Sequence, residues 1–273
     1  MASFTSFKEK AHTKILSSEM PPDERRTYWD SLAQHYTPIK QAYSTRIYGN
    51  GEWRLFQKYF RELKGKKVLK LDLWNEANNT DISERAVKAG MDVTGIDISE
   101  VVVGRAKENF RQRGLKARFV QGDIRQLPFK DGEFDYVYTM GTIEHVPDPE
   151  KAVKEIHRVL SSGGVAVIGV PYRYDPFLRA AVAYFVNKYN IGPYGEEMCF
   201  SWSQLRELLS VSDFEWIAKS GAYFIPWPLR FLDVYLFKYA RPLTYLFYPL
   251  LFLCDVLGRV NFLAAHNGLI AAV

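Results

Sequence analysis

The sequence predicts an α/β protein built on a doubly wound, largely parallel sheet, and three observations carry that expectation. Residues 67 to 97 read as strand, loop, helix, strand: an apolar run (Val68, Leu69, Leu71, Leu73), a polar loop, a helical segment ending at Gly90, and a second apolar run (Val93, Ile96) closing on Asp97. Short apolar segments alternate with helical patterns as far as about residue 220. Val165 to Val170 is an unbroken apolar run, as expected of a strand buried on both faces of a parallel sheet.

Composition sets the outer limits. The 273 residues are 47% apolar and 25% charged, enough for one large α/β domain with additions. Thirty-six basic against 31 acidic residues give a net charge of +5, too mild and too dispersed to imply a nucleic-acid partner. The densest basic stretch, Arg111, Arg113, Lys116 and Arg118, falls at a helix-to-strand turn and reads as a solvated rim. Cys199 and Cys254 lack CxxC spacing and neighbouring histidines, so neither zinc nor a disulfide framework is expected and a reducing compartment fits. Lys8, Glu9 and Lys10 interrupt the start of the chain before an apolar leader core can form, which predicts a cytoplasmic protein.

Taken in order, Pro21-Pro22-Asp23 opens a helix carrying Tyr28, Trp29, Leu32 and Tyr36 at helical spacing. A second helix is expected after Gly49-Asn50-Gly51, carrying Trp53, Leu55, Phe56, Tyr59 and Phe60. Residues 1–60 are therefore either a helical layer on the core or a lid, with Tyr28 and Tyr36 as amphipathic side chains suited to closing over a substrate. Asp97, beyond the second strand, is placed to grip a ribose. Ser99 caps a helix that ends at Gly114, and Ala117 to Gln121 forms the next strand. The turn that follows presents Asp123 beside Ile124, an acid next to an aliphatic wall that suits an adenine ring or simply caps the turn.

Phe134 to Met140 is a strand, followed by Gly141 to Pro149 and a helix to Leu160 that Ser161-Ser-Gly-Gly164 ends. Ser201 or Ser203 caps a helix through Leu208, Phe214 to Ser220 is a strand, and Gly268 to Val273 is the last. The loop after the first strand, Asp72 to Asn79, contains no glycine, although such loops usually need bare backbone where a ligand approaches.

The run GDIRQLPFKDGEFDYVYTMGTIEHVPDPEKAVKEIHRVLSSGGVAVIGVP, residues 122–171, resembles the class I S-adenosylmethionine-dependent methyltransferases of the ubiquinone/menaquinone-biosynthesis type. The similarity extends from about Tyr28-Trp-Asp-Ser-Leu-Ala33 to about Ser220. It implies a Rossmann-like sheet of seven strands, the last antiparallel, with S-adenosylmethionine at the ends of strands one, two and four. On that pattern Asp97 meets the ribose, Asp123 and Ile124 the adenine, and Thr142 to His145 the methionine part and the substrate, with Ile98 a further cofactor contact.

The first motif departs from the pattern. Where the family has an acid followed by Gly-x-Gly-x-Gly, this chain has Trp74, Glu76 and Asn78 after Asp72. Asp72, Trp74, Asn75 and Glu76 are the expected cofactor-loop residues. Glu76 either accepts a bond from the cofactor's ammonium or balances its sulfonium, the asparagines tolerate left-handed turns, and Trp74 either shapes the site or fills it.

Methyl transfer from a sulfonium is an in-line displacement that needs alignment and desolvation, and needs a base only where the acceptor carries a proton. Glu144 and His145 are the candidates for that base, with a structural hydrogen-bonding role as the alternative for His145. Tyr172 and Tyr174 are placed after the fifth strand to line the substrate mouth. No metal box is present.

Residues 222–266 form an aromatic insertion before the final strand at 267–273, and 61–221 form the core. The uncharged run Pro242 to Cys254 is too short to span a bilayer, which takes about 20 apolar residues. The insertion suits a helix lying in a membrane interface, a cap over a greasy substrate, a homodimer contact, or a cover for the sheet edge. The expected function is methyl transfer to an apolar or lipid-linked small molecule. Two other readings stand beside it: a binding or scaffold protein with a decayed cofactor loop, and an enzyme turned to a non-methylating reaction.

Overall fold

The computed structural model describes residues 20–36, 39, 42–79, 81–189, 197–221, 223–259 and, as backbone, 266–272. The charged start of the chain and positions 260–265 at the close of the insertion lie outside these. The sheet contains β1 (Lys67–Leu71), β2 (Asp92–Asp97), β3 (Arg118–Gln121), β4 (Phe134–Met140), β5 (Leu160–Pro171), β6 (Glu215–Gly221) and β7 (His266–Ala272). Its order is β3-β2-β1-β4-β5-β7-β6, parallel from β1 to β5, with β7 antiparallel to both β5 and β6.

The topology places the site. From β1 the chain winds outward to β2 and β3, then returns to lay β4 on the other flank of β1, where Val68 to Lys70 register with Tyr136 to Tyr138. That reversal opens a crevice at the carboxyl ends of β1 and β4. The central strands bury both faces, with Leu69, Leu71, Val137 and Ile168 on one side and Val68, Tyr136, Tyr138 and Val167 on the other. Helix α1 (Pro22–His35) and α2 (Tyr43–Tyr59) precede the sheet. Phe56 and Phe60 cover the second face, where Phe60 stacks on Tyr136 with centroids 4.4 Å apart.

Several boundaries differ from the sequence expectation. Helix α2 begins at Tyr43 and runs through Gly49 and Gly51 instead of starting after them. Each glycine costs about 1 kcal/mol in a helix, and burial of Ile47, Leu55 and Phe56 along the same helix offsets it. β1 stops at Leu71, and the expected open loop coils into helix α3 (Trp74–Asn78), followed by α4 (Ile82–Lys88). Helix α5 (Glu100–Gln112) carries the expected cap, Ser99 Oγ accepting from Val102 N–H. Helix α6 (Pro149–Val159) passes directly into β5, so Ser161 to Gly164 belong to the strand. The strand absorbs them through an irregular register against β4 between Phe134 and Tyr136, with Gly163 left-handed at φ 76°.

Helix α7 (Arg179–Tyr189) was not foreseen; Asp175 caps it by accepting from Phe177 N–H and Arg179 N–H at 2.6 and 2.9 Å. Helix α8 (Trp202–Leu209) starts on Ser201, which forms a reciprocal capping box with Gln204.

The insertion folds as α9 (Trp227–Tyr239), α10 (Arg241–Thr244), a 3-10 turn (Tyr245–Phe247) and α11 (Tyr248–Gly258). Its inner side packs on α2 through Ile47, Tyr223, Ile225, Leu251 and Cys254. Three further contacts fasten it: Ser44 N–H donates to Asp233 Oδ2 at 2.8 Å, Arg54 pairs with Asp255 at 2.8 Å, and Tyr43 stacks on Tyr248 at 4.2 Å. Among the described residues no helix is long and apolar enough to cross a membrane.

Candidate functional site

Asp72, directly after β1, has φ 64°, the left-handed conformation that glycine usually supplies. Its side chain holds the turn in place of glycine's freedom. Oδ1 accepts from Trp74 N–H at 3.2 Å, while Oδ2 accepts from Thr142 Oγ1 at 2.7 Å and Lys70 Nζ at 3.1 Å. Leu73 is fully buried over Gly95 of β2, where an added Cβ would stand 2.5 Å from Leu73 Cδ2. The glycine on the neighbouring strand thus makes room for the Leu73 side chain. Helix α3 is then closed from α5: Asn109 donates to the carbonyls of Glu76 and Ala77 at 3.0 Å each, and Arg105 to Asn78 Oδ1 at 3.2 Å.

Glu76 does not reach the cavity. Its Oε1 accepts from Ser83 N–H and Oγ, and Oε2 lies 3.9 Å from Lys70 Nζ. In a helix the side chain at this position turns inward, so the expected contact with a cofactor ammonium is replaced by a structural one. Lys70 also donates to the carbonyls of Leu71 and Asp72. Burial would depress its pKa, but Asp72, Glu76 and Glu52 together hold it above the usual lysine value. Burial pushes Glu52 up to about 8, with Tyr138 donating to its Oε1 at 3.1 Å.

A cavity of about 290 Å³ opens beyond the carboxyl ends of β1, β2 and β4. Asp72, Trp74 and Asn75 line it from the first strand, Asp97 and Ile98 from the second, Asp123 and Ile124 after the third, and Thr142, Glu144 and His145 after the fourth. Of the lid residues, Trp29 of α1 reaches the cavity; its ring meets Trp74 and His145 edge-on at 6.2 and 5.5 Å. Tyr28 is buried behind Trp29, and Tyr36 lies outside the cavity, its ring against Trp74 and its hydroxyl donating to Asn79 Oδ1 at 3.2 Å. One residue's shift around α1 decides which ring faces inward. Tyr172 and Tyr174 also miss the cavity. Tyr172 is drawn to Phe200 by a bridge and Tyr174 is 68% exposed.

The acids lining the cavity sit in unlike surroundings. Asp97 accepts from Leu73 N–H and Ser99 N–H, both at 2.8 Å, yet burial still pushes it up to about 7. Asp123 is also desolvated, but hydrogen bonds from Arg125 prevail and hold it below the usual carboxylate range. Glu144, carried on the 3-10 turn Ile143–His145, is 1% exposed and pushed by burial up to about 8; its Oε2 makes no hydrogen bond. Thr45 Oγ1, on the α2 side of the cavity, is likewise buried without a hydrogen bond.

The far wall was invisible in the sequence. Arg179, at the start of α7, forms a two-pronged pair with Glu197 at 3.1 Å, and Tyr223, Ile225 and Arg230 descend from the insertion. Arg25 and Arg125 complete the rim. Among the described residues no cluster of side chains could hold a metal.

Residues 77–168 match the methyltransferase domain family. The chain is 31% identical over 141 residues to a demethylmenaquinone methyltransferase from Geobacillus stearothermophilus, covering 51% of this chain and 59% of that protein. It is 45% identical over 78 residues to the sterol 24-C-methyltransferase ERG6B of Gibberella zeae, covering 28% of this chain and 20% of that protein. The chain thus spans less than two thirds of the length of these curated relatives. The crystal structure of the [4+2]-cyclase SpnF superposes with a TM-score of 0.59 over 89% of this chain and 90% of that one, at 20% identity, which is a likeness of fold. The matched segment and the Rossmann-like architecture are what this chain has in common with class I S-adenosylmethionine-dependent methyltransferases, which it resembles over about a third to a half of its length.

Proposed function

We propose that the protein transfers the methyl group of S-adenosylmethionine to a small lipophilic acceptor. One observation carries the reading. The cavity brings the ends of β1, β2 and β4 together with an aromatic and aliphatic wall of Trp29, Trp74, Ile124, Tyr223 and Ile225. The relatives named for demethylmenaquinone and sterol methylation act on apolar molecules, in keeping with such a wall.

The residues present fit the cofactor. Ile98 and Ile124 offer apolar faces to an adenine, and Asp97 retains acceptor capacity toward ribose hydroxyls, since each carboxylate oxygen can take two hydrogen bonds. The unsatisfied Glu144 Oε2 and Thr45 Oγ1 are buried polar atoms that a polar occupant would complete. Asp72 sets a carboxylate near the cationic part of the cofactor, and Arg25, Arg179 and Arg230 are the cations suited to its carboxylate. When bound, S-adenosylmethionine supplies an electrophilic methyl on a sulfonium.

The chain's own residues supply alignment and exclusion of water. Helices α1 and α2 serve as the lid, with Trp29 closing over the site and Asp30 fastening α1 to the start of α5 by accepting from Ser99 Oγ and Val101 N–H. Glu144 takes the proton of an acceptor hydroxyl or amine. Burial raises its pKa to about 8, so the carboxylate form that accepts this proton becomes the main one only above about that pH. His145, packed against Trp29, shapes the same wall.

Isothermal titration with S-adenosylmethionine and S-adenosylhomocysteine tests the reading, with circular dichroism to show that the protein is folded. Heat from both ligands is expected. Absence of heat from either at millimolar concentration overturns it.

A further inference from the structure

We propose that α9, α10 and α11 form a docking face for an anionic lipid bilayer, on which the protein lies without spanning it. Helix α11 is apolar around almost its whole circumference, a pattern that in soluble proteins belongs to a helix buried on all sides. Here only the side bearing Leu251 and Cys254 is covered, by α2 and the segment around Tyr223. Leu250, Phe252, Leu253 and Leu257 face outward. On α9, Phe231, Tyr235 and Tyr239 recur every fourth residue and form one exposed stripe, and Leu246 between the helices is 73% exposed.

Charge selects the occupant. Residues 223–259 contain two carboxylates, and both are turned inward. Asp233 is buried against Ser44 N–H, and Asp255 is paired with Arg54 and Arg259. Lys238, Arg241 and Arg259 are exposed. The outward surface is therefore apolar with a cationic rim, which complements anionic headgroups. A second copy of the same face would bring like charges together across a two-fold axis. Tyrosines near the rim suit the headgroup level, where a ring and a hydroxyl are both satisfied.

The same insertion sends Tyr223, Ile225 and Arg230 into the cavity wall, so its outer side meets lipid while its inner side roofs the site. Delivery of the acceptor from the bilayer rests on the reaction proposed above; the docking itself does not.

Flotation of the full chain with vesicles of phosphatidylcholine, with and without phosphatidylglycerol, tests the proposal. Binding is expected to the anionic vesicles and to weaken as salt rises. Phe252→Asp and Leu253→Asp should each lower the partition coefficient about tenfold, the effect of withdrawing one large side chain from lipid, with the melting temperature unchanged.

No flotation at any salt concentration overturns the proposal. So do variants that melt lower, since the face is then core. A solution mass of two chains that Leu253→Asp returns to one also overturns it, because the face is then an interface between copies. Titration of S-adenosylmethionine into the same samples keeps the two readings apart. Loss of cofactor heat with flotation intact removes the reaction alone, and the reverse removes the docking alone.

Discussion

Asp97 Oδ2 accepts the main-chain N–H of Leu73 at 2.8 Å, tying the end of β2 to the residue that follows the left-handed turn at Asp72. Its other oxygen accepts from Ser99 N–H at 2.8 Å, which fixes the start of α5. Asp97 thus holds together the two segments that frame the cavity, in addition to lining it. Asp97→Ala leaves both buried N–H groups unpaired, at about 1–3 kcal/mol each, so a urea melt should shift accordingly. Cofactor affinity should fall by about 1.5–3 kcal/mol, the scale of hydrogen bonds to a charged acceptor. A destabilised variant with unchanged titration would leave Asp97 as a loop anchor and take it out of ribose binding.

The Rossmann-like core and the near wall of the cavity were legible because both follow from local rules. Asp97, Asp123, Ile124 and Thr142 to His145 stand immediately after strands whose apolar runs are plain in the sequence, and strand ends in such sheets face the crevice. Glu76 misled because its direction depends on whether residues 74–78 are loop or helix, which α5 decides through Asn109 and Arg105. Tyr28 and Tyr36 misled for a related reason. Trp29 shares their helix, and which face turns inward is set by Asp30 on the start of α5. Arg179, Glu197 and Arg230 had no signal at all, since they arrive from segments distant in sequence through tertiary packing alone.

The buried acids set a pH dependence. The Glu52 carboxyl, desolvated beside Tyr138, is raised from an ordinary 4.5 to about 8. A group that binds its proton more tightly when folded stabilises the fold fully below the unfolded pKa, and that contribution is lost as pH rises through the folded one. Stability from Glu52 should therefore decline between about pH 4.5 and 8. Glu52→Gln keeps an acceptor for the Tyr138 hydroxyl and removes the titration. The variant should gain on the wild type across that window, by roughly 1–3 kcal/mol at the alkaline end. Melting curves at pH 5 and pH 8.5 check this; parallel curves for the two proteins would contradict it.

Trp74 is the place to ask whether the glycine-free loop is an adaptation or an obstruction. Glu76 is unsuitable, because its replacement strips Ser83 and Lys70 of a buried partner. Trp74→Ala removes edge contacts with Trp29 and Tyr36, each worth about 0.5–1.5 kcal/mol. An indole that forms part of a working site predicts cofactor binding weakened about tenfold, or 1.4 kcal/mol, in a titration at matched temperature. Tighter binding by the variant would mark the indole as filling space the cofactor needs, and the site as decayed.

The last prediction concerns Asp233, which crosses the whole chain to accept from Ser44 N–H at the start of α2. Thr45, the next residue, lines the cavity with its unsatisfied hydroxyl, so the bond positions one end of the wall from the insertion. Asp233→Ala leaves a buried helix-terminal N–H without its acceptor, a loss of about 1–2 kcal/mol in a melt. Asp233→Asn retains an acceptor and should recover most of it. Because the residue touches neither Asp97 nor Ile124, its loss should leave cofactor titration near the wild-type value. The lid and roof would separate more easily, and the KM for an apolar acceptor should rise while kcat changes little. A variant that loses stability yet keeps KM would show that the insertion steadies α2 without shaping the acceptor side of the cavity.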